Sequence, residues 1–296
     1  MTSGCPICKA DRARPLLQVL ARRMVRCCEC GLVYRDPWPA ARPPAACPAV
    51  GPEDVLREER VGARRTAHFR RFLRQASRPG RLLDVGCGYG FFLRLAREAG
   101  WDAVGVDVDP HAAAYATDRL GLRVVTGQLA DARFPDGAFD LVTLWNVVEC
   151  VADPVGLVLE VARVLAPGGR VFVRTQNAAW HVPAFRATRL LGRLGLARGR
   201  ADHPYVTFVF NRSSFSRTTL RLLLDRAGFG DVRIRNSRPI LGDPYLGLRP
   251  GPERLLTAAK LAVHGASQAV ARVSRHRWLL GPSLEAWGTA PRGPGR

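Results

Sequence analysis

Two groups of residues in this sequence have types and spacings that could do chemistry. Cys5-Pro6-Ile7-Cys8 and Cys27-Cys28-Glu29-Cys30-Gly31 give two Cys-x2-Cys pairs with eighteen residues between them. Four thiolates so spaced, Cys5, Cys8, Cys27 and Cys30, can close a tetrahedron around a structural zinc ion at ~2.3 Å per bond. The proline after Cys5 and the glycine after Cys30 suit tight turns that aim backbone amides at sulfur. Cys28 could replace a neighbour, but Cys27 with Cys30 preserves both turns. Cys47 has no visible partner. In a reducing compartment the pattern reads as metal binding or redox chemistry rather than as a disulfide framework.

The second group is the stretch Asp84-Val85-Gly86-Cys87-Gly88-Tyr89-Gly90. Glycines there permit a sharp turn and let the backbone approach a ligand closely. The dinucleotide pattern Gly-x-Gly-x-x-Gly would need a third glycine where Phe91 stands. Asp84 would also repel a pyrophosphate, whereas it suits a ligand bearing an ammonium or sulfonium charge. Asp107 lies twenty-one positions after Gly86. A carboxylate at the end of the next strand can accept both hydroxyls of a ribose.

The elements that must hold these residues follow from periodicity. Phe69, Phe72, Leu73 and Ala76 predict a helix over 63–76, and Phe92, Leu95, Ala96 and Ala99 a second that stops at Gly100. Short apolar runs at 81–85, 103–107, 122–126, 139–144 and 170–175 read as strands, with Ser283–Thr289 as a further candidate. Asp109-Pro110 and Asp153-Pro154 look like N-caps followed by proline at the first helical position. Strands alternating with helices imply an α/β fold with a doubly wound, mostly parallel sheet and ligands at the carboxyl ends of its strands. Residues 1–36 form a cysteine module, 37–62 a proline-rich linker and 63–296 the main domain, with lid or insert segments at 178–205 and 241–280.

On these motifs the chain resembles the class I S-adenosylmethionine-dependent methyltransferases of the type 11, 12 and 23 kind, with a four-cysteine zinc ribbon at the N-terminus. Leu82–Gly90, Gly105-Val106-Asp107, Gly127–Asp140 and Leu165-Ala166-Pro167-Gly168-Gly169 are similar to successive family motifs. The resemblance implies a Rossmann-like sheet. It also implies that Asp84, Gly86, Gly88 and Gly90 cradle the methionine end of S-adenosylmethionine, and that Asp107 holds the ribose with Val108 beside it. Gln128, where the family often has an acid, and Leu129 would flank the adenine. Asn146 and Val147 would lie under the sulfonium. Glu149-Cys150 stands where many relatives have Glu-His. Relatives often carry a histidine ahead of a Phe-Ser-x-x-(Ser/Thr)-Leu helix start, which makes His203, ahead of Phe215-Ser216-Arg217-Thr218-Thr219-Leu220, the candidate general base. The spacing here is longer than in the relatives.

Charge adds an expectation about partners. Among the 296 residues, 45 are basic and 25 acidic, a net +20, and only Lys9 and Lys260 are lysines. Such a balance favours an anionic partner. The resemblance and the charge together imply methyl transfer to a small or sugar-like acceptor, nucleotide- or lipid-linked, by in-line displacement. The basic stretches 178–200 and 253–280 suggest peripheral contact with anionic lipid. RNA methylation and a non-catalytic zinc-ribbon binding protein are the alternatives. No apolar run of ~18 residues predicts a membrane span, and no secretory signal is visible, so a cytoplasmic location, with contact at the inner membrane face, is expected.

Overall fold

The computed structural model describes residues 4–39, 52–76, 78–194, 211–241 and 250–291. Strands β1 (Ala13–Val19), β2 (Arg22–Cys27) and β3 (Val33–Arg35) build a small antiparallel sheet. A long helix α1 (Pro52–Gln75) leads into an alternating series. That series runs β4 (Arg81–Val85), α2 (Phe91–Glu98), β5 (Asp102–Asp107), α3 (Pro110–Asp118), β6 (Arg123–Thr126), β7 (Phe139–Trp145), α4 (Pro154–Val164) and β8 (Leu165–Gln176). After it come α5 (Ala178–Arg193), β9 (Ser213–Ser214), α6 (Arg217–Arg226), β10 (Gly230–Asn236), α7 (Pro250–Val273) and β11 (Ser283–Thr289).

The seven-stranded sheet has the order β10-β11-β8-β7-β4-β5-β6. The β5–β4–β7–β8 core and β6 pair in parallel, and β11 runs antiparallel between β8 and β10. The expected doubly wound, Rossmann-like sheet is therefore present, and 283–289 is a strand inserted next to the edge. One face carries α1 and α2 on an aromatic cluster. Phe72 lies 4.5 Å from Phe172 and 5.3 Å from Trp287, and Trp145 lies 4.6 Å from Phe172, ring centre to ring centre. The other face buries Val158, Val161 and Val164 of α4 and Leu220, Leu223 and Leu224 of α6. Both Asp-Pro starts cap as expected: Asp109 Oδ1 accepts the His111 amide at 2.9 Å, and Asp153 Oδ1 the Gly156 amide at 2.9 Å.

Two expectations change. Helix α1 starts at Pro52, eleven residues ahead of position 63, so the second half of the expected linker is helical. Proline at the first helical position costs nothing, because its missing N–H would be unpaired there. Gly62, which breaks the sequence pattern, sits inside the helix because a Cβ there would come within 2.6 Å of the Phe91 ring. The cysteine module is also not a separate bead. Strand β3 pairs with β9, Tyr34 opposite Ser213 and Val33 opposite Ser214, so a strand from the main domain completes the small sheet. Cys5, Ile7, Val25, Leu32 and Tyr34 belong to the same apolar core as Val148, Phe215 and Leu220.

The basic stretch after β8 is tied into this junction. Arg186 and Arg189 of α5 donate to the Leu16 and Gln18 carbonyls of β1, at 3.1 and 3.3 Å. Leu190, Leu191 and Leu194 remain exposed. Because one core serves both parts, urea should unfold the protein in a single transition seen alike by tryptophan fluorescence and far-UV dichroism. Phe215→Ala, a fully buried ring at the junction, should lower stability by about 3–5 kcal/mol. Two separate transitions would show that the module folds on its own.

Candidate functional site

Strands β4 and β5 end side by side, and each brings an acid to that end. The turn after β4 starts at Gly86, whose φ is +69°, and its amide donates to the Val106 carbonyl at 2.7 Å. A Cβ at Gly86 would come within 2.5 Å of Val147 Cγ2, so glycine is required for the turn to sit against the loop after β7. Gly88, at φ +52°, donates its amide to Asp107 Oδ2 at 2.6 Å. A Cβ there would meet nothing within 4 Å. The backbone at Gly88 thus faces open space, as a surface on which a ligand lies must. Gly90 differs: its Cβ would strike Leu122 at 2.6 Å and Ala116 at 3.0 Å, so its glycine serves the packing of α2 on α3.

The two acids are unequal. Asp84 is buried, and Thr143 Oγ1 donates to its Oδ1 at 2.7 Å. Loss of water, reinforced by the nearby Asp107 and only partly offset by Thr143, raises its pKa to about 8. Asp107 accepts the Gly88 amide through Oδ2 and the Asp109 amide through Oδ1, at 2.6 and 2.9 Å. Burial raises its pKa as well, opposed by these backbone donors. A buried and a half-buried acid with so little compensating charge favour a cationic ligand that also offers hydroxyl donors.

The remaining candidates surround this pair. Val108 is exposed beside Asp107. The Gly127 amide donates to the Asp107 carbonyl at 2.8 Å, which brings Gln128 next to β5. Gln128 opens a short 3-10 turn, and its amide donates to Asp131 Oδ2 at 3.2 Å. Leu129 is 3% exposed and anchors that turn in the main core. Asn146 adopts φ +60°, a conformation that asparagine tolerates better than most residues. Its amide donates to the Arg174 carbonyl at 2.7 Å, and its Oδ1 accepts Arg174 Nη1 at 3.0 Å. The structure therefore brings Asp84, Gly86, Gly88, Asp107, Asn146 and Val147 together at the carboxyl ends of β4, β5 and β7. His203 lies outside the described residues, as does Cys47.

Two participants, Thr143 and Arg174, are not announced by the sequence, and a third, Glu149, is announced only by its place in the Glu149-Cys150 pair. Thr143 is the β7 residue paired with Asp84, and nothing along the chain announces which strand will lie beside β4. Arg174 is buried at the end of β8 and also donates to Ser237 Oγ and Ser283 Oγ, at 3.1 and 3.2 Å. An arginine directly after the apolar run Val171-Phe172-Val173 was the available signal. Glu149 is fully buried, accepts Thr175 Oγ1 at 2.8 Å, and has its pKa lifted by desolvation to about 7. Cys150 accepts Asn211 Nδ2 at 3.2 Å and, with Cys87, packs as a small side chain. Two histidines near the sheet end stay neutral. Burial takes His181 and His68 down to about 4, with the Arg174 charge reinforcing the effect at His68.

The N-terminal thiols also converge. Cys5, Cys8, Cys27 and Cys30 place their sulfurs within 4.8 Å of one another, with Cys5–Cys30 at 3.6 Å and Cys8–Cys27 at 3.5 Å. A tetrahedral metal with bonds of ~2.3 Å needs sulfurs about 3.8 Å apart. The cage has that size. Cys28 is exposed and lies outside the cluster.

A sheet of this order with an acid-and-glycine cradle at its carboxyl ends defines the S-adenosylmethionine-dependent methyltransferase class. A model of the methyltransferase domain matches residues 57–234. The chain belongs to that methyltransferase family. It is 31% identical to the ubiquinone biosynthesis O-methyltransferase of Methylococcus capsulatus over 192 residues, 62% of this chain and 78% of that protein. It is 31% identical to the enzyme of the same name from Xanthomonas oryzae pv. oryzae over 44% of this chain and 56% of that one. The solved structure of Haemonchus contortus phosphoethanolamine N-methyltransferase 2 in complex with S-adenosyl-L-methionine shares the fold, with a TM-score of 0.53 at 17% identity, over 81% of this chain and 57% of that one.

The buried acid gives a pH signature. Asp84 has its folded pKa raised from 3.8 to about 8, so the folded protein binds the extra proton and loses stability as pH climbs between those values. Asp84→Asn removes that dependence. The stability of the wild type relative to Asp84→Asn should therefore fall steadily from pH 5 to pH 8 in urea titrations. A difference that stays constant would show that Asp84 is ionised throughout.

Proposed function

We propose that the protein transfers a methyl group from S-adenosylmethionine to a small, sugar-like or otherwise anionic acceptor, free or carried on a nucleotide or lipid. The observation that carries this reading is the Gly88 amide bonded to Asp107, with open space above Gly88 and the buried Asp84 behind it. The residues fit the donor. The backbone of Gly86 and Gly88 together with Asp84 would hold its methionine end. Asp107 would take the ribose hydroxyls on the lone pairs that its backbone donors leave. The turn at Gln128 would meet the adenine, and Asn146 and Val147 would lie beneath the reacting centre. The relatives' name supports a small-molecule acceptor.

A sulfonium supplies an activated methyl and a good leaving group. What the protein contributes is alignment, worth up to about 7–11 kcal/mol of barrier when a second reactant is held in line. Asn146 is fixed for that task by Arg174, which is itself held by two serines. Burial keeps water from Asp84 and raises its pKa to about 8, so the donor's cation would supply the compensating charge that favours its ionised form.

The thiol cage fits zinc, which would be held by Cys5, Cys8, Cys27 and Cys30 and would clamp the turns that begin and end the β1–β2 hairpin. Its contribution is structural, because the cage offers four protein ligands and leaves no open coordination position. Burial raises the Cys5 thiol to about 11, so a dication is what would keep the cage in its thiolate form.

Calorimetry with S-adenosylhomocysteine tests the donor site. The wild type should bind it, NADH should give no heat, and Asp107→Ala should weaken it about 10- to 100-fold, the value of hydrogen bonds to a charged group. Tight NADH binding with no response to S-adenosylhomocysteine would overturn the reading. Elemental analysis should find about one zinc per chain, lost in Cys8→Ser/Cys27→Ser.

A further inference from the structure

A second concavity opens on the α1 face of the sheet, at the carboxyl end of β10. It encloses about 510 Å³ between α1, β10, β11 and α7, and its walls carry Arg71, Arg235, Arg238 and Arg272. Glu285 is the one carboxylate among its described lining residues. That acid is already committed: Oε2 accepts Arg235 Nε at 2.9 Å and Oε1 accepts Ser237 Oγ at 2.9 Å. Arg71, Arg238 and Arg272 have no carboxylate partner among the described residues. The imidazoles of His68 and His264 also face the recess. Both are pushed below their ordinary range by burial, then by neighbouring arginines.

Three guanidiniums with no carboxylate partner among the described residues repel each other around one recess, and an anion bound between them removes that cost. A carboxylate offers two oxygens. A phosphate or diphosphate ester offers three or more and matches the planar donor fork of arginine. The volume exceeds what a bare phosphate fills, leaving room for the organic part of an ester. The pocket is also wired to the reacting end of the sheet. Ser237 Oγ, which donates to Glu285, accepts Arg174 Nε, and Arg174 Nη1 donates to Asn146 Oδ1. The ring of His68 meets Trp145, the residue before Asn146, edge-on at 5.6 Å.

We propose that this pocket binds the phosphate or diphosphate ester arm of the methyl acceptor, with Arg71, Arg238 and Arg272 as its ligands. The assignment rests on the reading of the protein as a methyltransferase with an anionic acceptor. It puts a phosphorylated handle in the recess beside α7 and the methylated group next to Asn146.

The test titrates the full-length protein with inorganic pyrophosphate by calorimetry at low ionic strength, for the wild type and for Arg238→Gln/Arg272→Gln. The wild type should bind and the variant should bind at least tenfold more weakly, while both take S-adenosylhomocysteine equally. Pyrophosphate that fails to bind the wild type, or binds both proteins alike, overturns the pocket. Loss of S-adenosylhomocysteine binding by the wild type would instead overturn the methyltransferase reading, so the two failures are distinct. Uridine diphosphate and a short-chain phosphatidic acid, used as competitors, separate a nucleotide from a lipid carrier; if neither displaces pyrophosphate, the ester assignment falls. Phosphatase treatment of an extract fraction that accepts labelled methyl should cut transfer at least tenfold, and undiminished transfer would remove the handle from the acceptor.

Discussion

The Gly88 amide donated to Asp107 at 2.6 Å ties together the turns that follow two paired strands. One follows β4, the other follows β5, and the bond adds a side-chain tie to the backbone bond from Gly86 to Val106. The bond uses a carboxylate partly shielded from water, and such a group is unfavourable unless donors surround it. Two backbone amides fill that role at Asp107, while at Asp84 a single threonine hydroxyl does. The cradle therefore holds two acids whose ionised forms are short of compensating charge. A cationic ligand would supply that compensation, and the fold places both acids for it before any ligand arrives.

The second constraint is the fusion of the cysteine module to the main domain. A hairpin of this size cannot bury enough apolar surface to fold alone. Here two devices support it. The thiol cage can take a metal, and the apolar side of the hairpin continues the core of the main domain through Tyr34 and Phe215. The Arg212 and Ser213 amides, which flank the start of β9, both donate to the Glu149 carbonyl at 3.3 Å. Glu149 lies three residues beyond Asn146. The strand that completes the module's sheet thus buttresses the loop after β7, which we propose as one wall of the donor site. It also explains part of the arginine content, because Arg186 and Arg189 serve as donors to β1 rather than as free surface charge.

Charge is distributed differently on the other side of the sheet. Arginines on α1, β10 and α7 share a recess with one carboxylate, already neutralised by Arg235. Their repulsion is tolerable while the mouth stays hydrated. The connection from Glu285 through Ser237 and Arg174 to Asn146 means that rearrangement in the recess has a direct path to the asparagine at the reacting end.

Much of this was legible along the chain. Spacing named the four cysteines, the glycine turn and its two acids, and apolar periodicity gave the strand–helix alternation, because each of these signals is carried by neighbours in sequence. The start of α1 at Pro52 escaped the apolar periodicity of 63–76, and the reason for Gly62 inside it, the Phe91 ring, is known only once α1 and α2 pack. Thr143 and Arg174 escaped for the same kind of cause: each acts across strands whose adjacency is set by topology. The sequence by itself determined which residues could bind and which turns they sit in, since those depend on local sterics and charge type. Only the tertiary structure decided that Asp84 would be stripped of water, that a strand from residues 213–214 would complete the cysteine module, and that arginines far apart in sequence would share one recess. Burial and long-range pairing are properties of the packed chain, and no window of sequence contains them.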